Sequence, residues 1–114
     1  IEENIEKLEV EHSTEKFIQQ AFNAKVPMGF ICVSPAAVAA VALRNKGLQL
    51  TIGSDNLTAK KIEELGHTHI TTTASEIVVD KEHNIISTAA YMCGQNIAEI
   101  EQGIAKLVKE LINY

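Results

Sequence analysis

Three observations predict a single α/β domain built on a mainly parallel sheet. Short β-branched runs alternate with helical patterns along the chain. The first such run, Met28 to Val33, is apolar throughout instead of alternating, as in a strand covered on both faces. The segment Ala36 to Leu43, AAVAAVAL, is apolar all round, which requires burial between layers.

Taken in order, Phe17, Ile18, Ala21 and Phe22 recur at helical spacing, so residues 14–23 form an amphipathic helix with Ser13 or Thr14 available as its N-cap. Lys25, Val26 and Pro27 end it, and Met28 to Val33 follows as a central parallel strand. Pro35 suits a first helical turn, where a missing N–H is harmless, and the buried helix beyond it ends at Gly47. LQLTI, residues 48–52, is a strand, and GSDN caps a helix over residues 57–65 that stops at Gly66. HITTT is a short strand. EIVVD and IIST form a hairpin whose turn lies near residues 82–84. Ile97, Ile100, Ile104, Leu107, Val108 and Leu111 mark a long final amphipathic helix with Glu99, Glu101, Lys106 and Lys109 facing water.

Composition narrows the function. The chain has 114 residues, 46% hydrophobic and 22% charged, as expected of one globular domain. A net charge of −5 with interleaved signs carries no footprint for nucleic acid or anionic lipid. No apolar run reaches the roughly 20 residues of a membrane span. Cys32 and Cys93 are far apart, which argues against a disulfide framework or zinc knuckle and for a reducing compartment. We expect a cytoplasmic protein. The chain opens at Ile1 instead of methionine, so organellar targeting by an upstream segment is compatible with this reading.

Cys32 stands where a buried strand runs directly into a helix, the arrangement of a nucleophile elbow. There, helix amides and the helix dipole stabilise a thiolate. This is also the end of an open α/β sheet where ligands bind. Cysteine is equally at home in a core, however, and spacing alone leaves nucleophile and packing residue evenly balanced.

The motifs GFICVSP (29–35), LTIGSD (50–55), EIVVDKEHNIIST (76–88) and AYM (90–92), closing with IAEIEQGIAKLV, stand in an order and spacing that resemble the ElbB-type, "enhancing lycopene biosynthesis", branch of the PfpI-like, class I glutamine-amidotransferase-like superfamily. The resemblance runs from about Leu8 to the C-terminus. It implies a flavodoxin-like three-layer αβα sandwich with a mainly parallel sheet and a β-hairpin, with Cys32 as the elbow nucleophile. The implied activity is glyoxalase-like, converting glyoxal to glycolate without a cofactor. It further implies that residues 1–114 are the C-terminal half of a larger domain. The first strands, an acidic partner of the elbow cysteine and a glycine-rich oxyanion loop would lie upstream, and this segment alone would be inactive without that N-terminal half as its partner. A homodimer is the expected assembly. STAAYM replaces the proline the family tends to carry before AYM, and Ser34 stands where other branches favour glycine.

With the resemblance, Cys32 reads as the nucleophile, and the backbone N–H of Val33 as one oxyanion donor. His69 occupies a family histidine position and reads equally as a general base or substrate-orienting group and as a surface histidine at a strand start. His67 with His69 is too small a set for a metal, so none is expected. His12, His83, Glu76 and Asp80 read as solvated, and Cys93 and Tyr91 as packing residues, with the pocket rim as the alternative place for Tyr91. A class I amidotransferase needs a His-x-Glu pair, which does not occur; a PfpI-type peptidase needs histidine after the nucleophile, where Val33 stands. The remaining substrate class is a small aldehyde. The alternative is a noncatalytic regulatory protein in which Cys32 acts as a redox sensor.

Overall fold

Helix α1, His12–Asn23, has a polar outer face and buries Ile18, as its spacing requires. In the computed structural model, residues 12–32, 34–54, 56–90 and 96–114 are described. Lys25, at φ +62°, turns the chain into strand β1, Met28–Ile31. After Cys32 the chain enters a π-helical turn, Pro35–Ala39, which continues into α2, Ala40–Ala42. The alanine-rich segment is buried as its uniform apolarity demands, with Ala39 and Ala40 fully enclosed. There follow β2, Gln49–Leu50; α3, Asn56–Glu64; β3, Thr68–His69; β4, Ile77–Asp80; β5, Ile85–Thr88; and α4, Ile97–Ile112. Asn96 caps α4 by accepting from the Glu99 amide at 2.9 Å.

Strand β5 lies between β1, to which it is parallel, and β4, with which it forms the expected hairpin; β2 and β3 make a second, parallel pair. The Asn84 φ of +59° supplies the left-handed turn residue of that hairpin. Helices α1, α2 and α3 share one core with Met28 and Phe30 of β1 and with Leu48, Leu50 and Ile52. Helix α4 covers the opposite face: a Cβ placed on Gly29 would lie 2.7 Å from Leu107. Three layers result, and the flavodoxin-like α/β expectation holds.

The differences from the sequence reading are instructive. β1 is an edge strand among the described residues, not a central one. Its continuous apolarity reports two covered faces, and covered faces do not require two paired edges. HITTT contributes only His69 to the ladder, beside Thr68, and LQLTI only Gln49 and Leu50, because side chains take over its next amides. The Thr51 amide donates to Ser87 Oγ (3.0 Å) and the Ile52 amide to His69 Nε2 (3.2 Å). Asp80, expected in solvent, is 3% exposed. It accepts from the amides of Gln49 (2.8 Å) and His83 (3.1 Å) and pairs with His83 Nδ1 at 2.9 Å, while the His83 ring stacks on Phe22. The carboxylate is buried because it satisfies backbone donors from two neighbouring segments.

Candidate functional site

The site is built where β1 ends. The Cys32 amide continues the β1–β5 ladder by donating to the Thr88 carbonyl at 3.0 Å, yet its φ is +66°, a conformation L-residues adopt at a cost. Ser34, two residues on, folds its hydroxyl back to accept from the Ile31 amide at 2.9 Å, closing the turn around the cysteine. Pro35, buried, then starts the helical turn. Cys32 is thus held half-buried on a sharp strand-to-helix bend as a free thiol.

Thr88 anchors this bend from below and passes the constraint on. Its hydroxyl donates to the Glu76 carbonyl at 3.0 Å. The Glu76 carboxylate accepts from the amide (2.8 Å) and hydroxyl (3.1 Å) of Thr73. Those two bonds hold the Glu76 carboxyl below the usual carboxylate range, so it stays charged though fully exposed. A cavity of about 360 Å3 opens beside it, bordered by Ser54, Thr72, Thr73 and Glu99. Ser54 follows β2, Thr72 and Thr73 lie between β3 and β4, and Glu99 is in the first turn of α4, so the cavity lies at the ligand-binding end of the sheet.

Both ring histidines of GHTHI are engaged. His67 is 5% exposed; its Nδ1 accepts from the Leu48 amide (3.1 Å), which leaves Nε2–H to donate to the Ala40 carbonyl (3.0 Å). Burial pushes its pKa down, against the smaller upward pull of that carbonyl. It clamps α2 to β2 and is not available as a ligand. His69, in β3, accepts from the Ile52 amide at Nε2, so its proton resides on Nδ1. Burial lowers its pKa too, keeping the ring neutral. In this state His69 offers a donor, its basic nitrogen being occupied. Cys32 and His69 belong to different sheets, linked through the Thr51–Ser87 bond.

His12 is exposed as expected. Val33, Tyr91 and Cys93 lie outside the described residues. No group of three or more potential metal ligands occurs among the described residues, nor any helix long and apolar enough to cross a membrane. The framing roles of Ser34, Thr88 and Glu76 were not apparent from sequence. Ser34 alone carried a local signal, a serine placed to form a turn just after the cysteine.

A strained cysteine on a strand-to-helix bend, between layers of helices, is the geometry of a nucleophile elbow, and proteins similar to the chain are described as amidotransferase-like. The chain is 28% identical over 112 residues to the ES1 protein homolog, mitochondrial, of Rattus norvegicus, covering 90% of this chain and 41% of that protein. It is 26% identical, over the same shares, to the human glutamine amidotransferase-like class 1 domain-containing protein 3, mitochondrial. Its structure matches the isoprenoid biosynthesis protein with amidotransferase-like domain from Ehrlichia chaffeensis at a TM-score of 0.76 and 29% identity, covering 88% of this chain and 45% of that one. No family profile matches the chain. The chain therefore spans less than half the length of these relatives.

Proposed function

We propose that this chain belongs to the ElbB-type branch and carries the thiol-bearing part of a glyoxalase-like site for a small dialdehyde. The observation that supports this reading is the positive φ of Cys32, held at the end of β1 by Thr88 and Ser34. A backbone conformation that costs about 1–2 kcal/mol is retained where it positions chemistry.

In the proposed reaction the Cys32 sulfur adds to one aldehyde carbon of glyoxal, giving a hemithioacetal. The hemithioacetal carbon gives up its hydrogen as a proton, and the electron pair left behind forms an enediol. Reprotonation at the neighbouring carbon yields a glycolyl thioester, which water hydrolyses to glycolate and the free thiol. One carbon is oxidised as the other is reduced, so no external oxidant or cofactor takes part. The Val33 amide would serve the developing oxyanion. His69, with Nε2 occupied, would orient the substrate as an Nδ1–H donor instead of acting as the base. The proton-transferring carboxylate would be supplied by polypeptide outside this chain. The rat and human relatives are mitochondrial by name; a reducing compartment, cytoplasmic or organellar, suits a free Cys32 thiol.

The test is glycolate formation from glyoxal, followed by NMR, in a polypeptide extended to the length of the relatives. Turnover that Cys32→Ser abolishes while the fold is retained supports the enzyme. Equal turnover in Cys32→Ser overturns it. Absence of turnover together with stoichiometric sulfenic acid at Cys32 under dilute peroxide replaces it with the redox-sensing reading.

A further inference from the structure

The cavity beside Glu76 bears on the shape of the molecule that Cys32 would attack. Ile31, Thr88 and Ile77 stand abreast on β1, β5 and β4. Cys32 follows Ile31, Glu76 precedes Ile77, and β4 runs against the other two strands, so both residues leave the sheet at the same end. Two strand spacings, about 10 Å, separate them. Thr88 bridges that gap, its carbonyl on the Cys32 amide and its hydroxyl on the Glu76 carbonyl. The cavity and the thiol therefore share one rim of the sheet.

The lining is suited to hydroxyl groups. Ser54 and Thr71 present hydroxyls that have no partner among the described residues. Glu76 gives Oε1 to Thr73 and Glu99 gives Oε1 to Asn96, which leaves Oε2 of each carboxylate to accept from a ligand. Thr72 is bonded to Thr51 and Thr73 to Glu76, so this wall is set before any ligand arrives. Neither lysine nor arginine is among the described residues around the cavity, and a phosphate or carboxylate group there would meet like charge. At about 360 Å3 the cavity falls within the range of small-molecule pockets, roughly 300–1,000 Å3. Glyoxal would fill only a corner of it.

We infer that the cavity bordered by Ser54, Thr71, Glu76 and Glu99 seats the uncharged, polyhydroxylated tail of a 2-oxoaldehyde whose terminal aldehyde reaches Cys32. The inference rests on the thiol chemistry proposed above, with glyoxal as the tail-less member of the substrate class. The sulfur adds to the terminal aldehyde carbon, whose hydrogen then leaves as a proton, and the electron pair left behind forms an enediol with the neighbouring carbonyl. Reprotonation at that neighbouring carbon gives a thioester. Water then releases a 2-hydroxy acid with its tail intact and restores the thiol, so no external oxidant is consumed.

The probes are 3-deoxyglucosone, which is a 2-oxoaldehyde with a hydroxylated tail, glyoxal, and sorbitol, which has hydroxyls and no aldehyde. In a polypeptide extended to the length of the relatives, kcat/KM for 3-deoxyglucosone should exceed that for glyoxal about 10-fold or more. The Thr71→Val/Glu99→Gln double variant, its fold checked by circular dichroism, should reduce that ratio about 10-fold. In Cys32→Ser, sorbitol should shift the Thr71 and Thr73 amide resonances saturably, and adding the double substitution should abolish the shift. Glyoxal turnover without the preference, or a preference that the double variant leaves in place, overturns the inference while the glyoxalase reading stands. No turnover of either aldehyde overturns the glyoxalase reading and the aldehyde with it. A sorbitol shift lost in the double variant would then still uphold the hydroxyl-binding cavity, and its absence overturns that as well.

Discussion

The amide of Cys32 is bonded to the carbonyl of Thr88 at 3.0 Å while the φ of Cys32 stands at +66°. One hydrogen bond keeps the residue in register with β5, and the dihedral swings its side chain out of the strand. Replacing Cys32 by Gly removes the left-handed penalty and adds chain entropy to the unfolded state. The balance should stabilise the fold by about 0.5–1 kcal/mol. Urea denaturation checks this, and an unchanged or lower midpoint would show that the bend carries no strain.

Ser34 accounts for the Ile31 amide at the end of the strand. Ser34→Ala should cost about 0.5–1.5 kcal/mol. It should also loosen the bend, so iodoacetamide labelling of Cys32 should change in rate. A variant of normal stability and normal labelling would mean that water replaces the hydroxyl without consequence.

Gly103 sits in the middle of α4, where Ala is ordinarily preferred by about 1 kcal/mol. Here a Cβ would collide with the Ala74 carbonyl oxygen and come within 2.8 Å of Thr88 Oγ1. Backbone cannot yield as a flexible side chain does, so Gly103→Ala should destabilise by about 1–3 kcal/mol. Because Thr88 carries the elbow, Cys32 labelling should shift with it. A stabilised Gly103→Ala would refute the close approach.

Asp80 accepts from donors on β2 and on the hairpin turn while 3% exposed. Asp80→Ala leaves the Gln49 and His83 amides without their acceptor and should cost about 2–4 kcal/mol. Thermal unfolding measures this, and a loss below 1 kcal/mol would return Asp80 to the solvated role its flanking charges suggest.

His67 and His69 both have folded-state pKa values lowered by burial. The unfolded chain therefore binds protons that the folded chain refuses. Their contribution to stability is present in full above about pH 6.5 and is lost as pH falls below it toward the folded values. The unfolding midpoint should drop through that window, and His67→Gln should flatten the drop. A midpoint independent of pH between 7 and 5 would contradict the buried neutral clamp.

The period of apolar residues was enough to find α1 and α4, because burial of one face leaves a mark at each of their turns, while cap and turn residues placed α3 and the hairpin. The uniform apolarity of 36–43 announced a buried helix, and the strand-to-helix junction placed Cys32 at the bend. Those are local consequences of side-chain chemistry. Which edges of β1 are paired, why β2 stops at Leu50, and why Asp80 and His67 are buried could not be read along the chain. Each depends on a donor or acceptor brought from a distant segment: Thr88 for Cys32, His69 for Ile52, Gln49 for Asp80, Leu48 and Ala40 for His67. A polar side chain looks the same in sequence whether water or a remote backbone amide satisfies it, and only the packed chain decides between them.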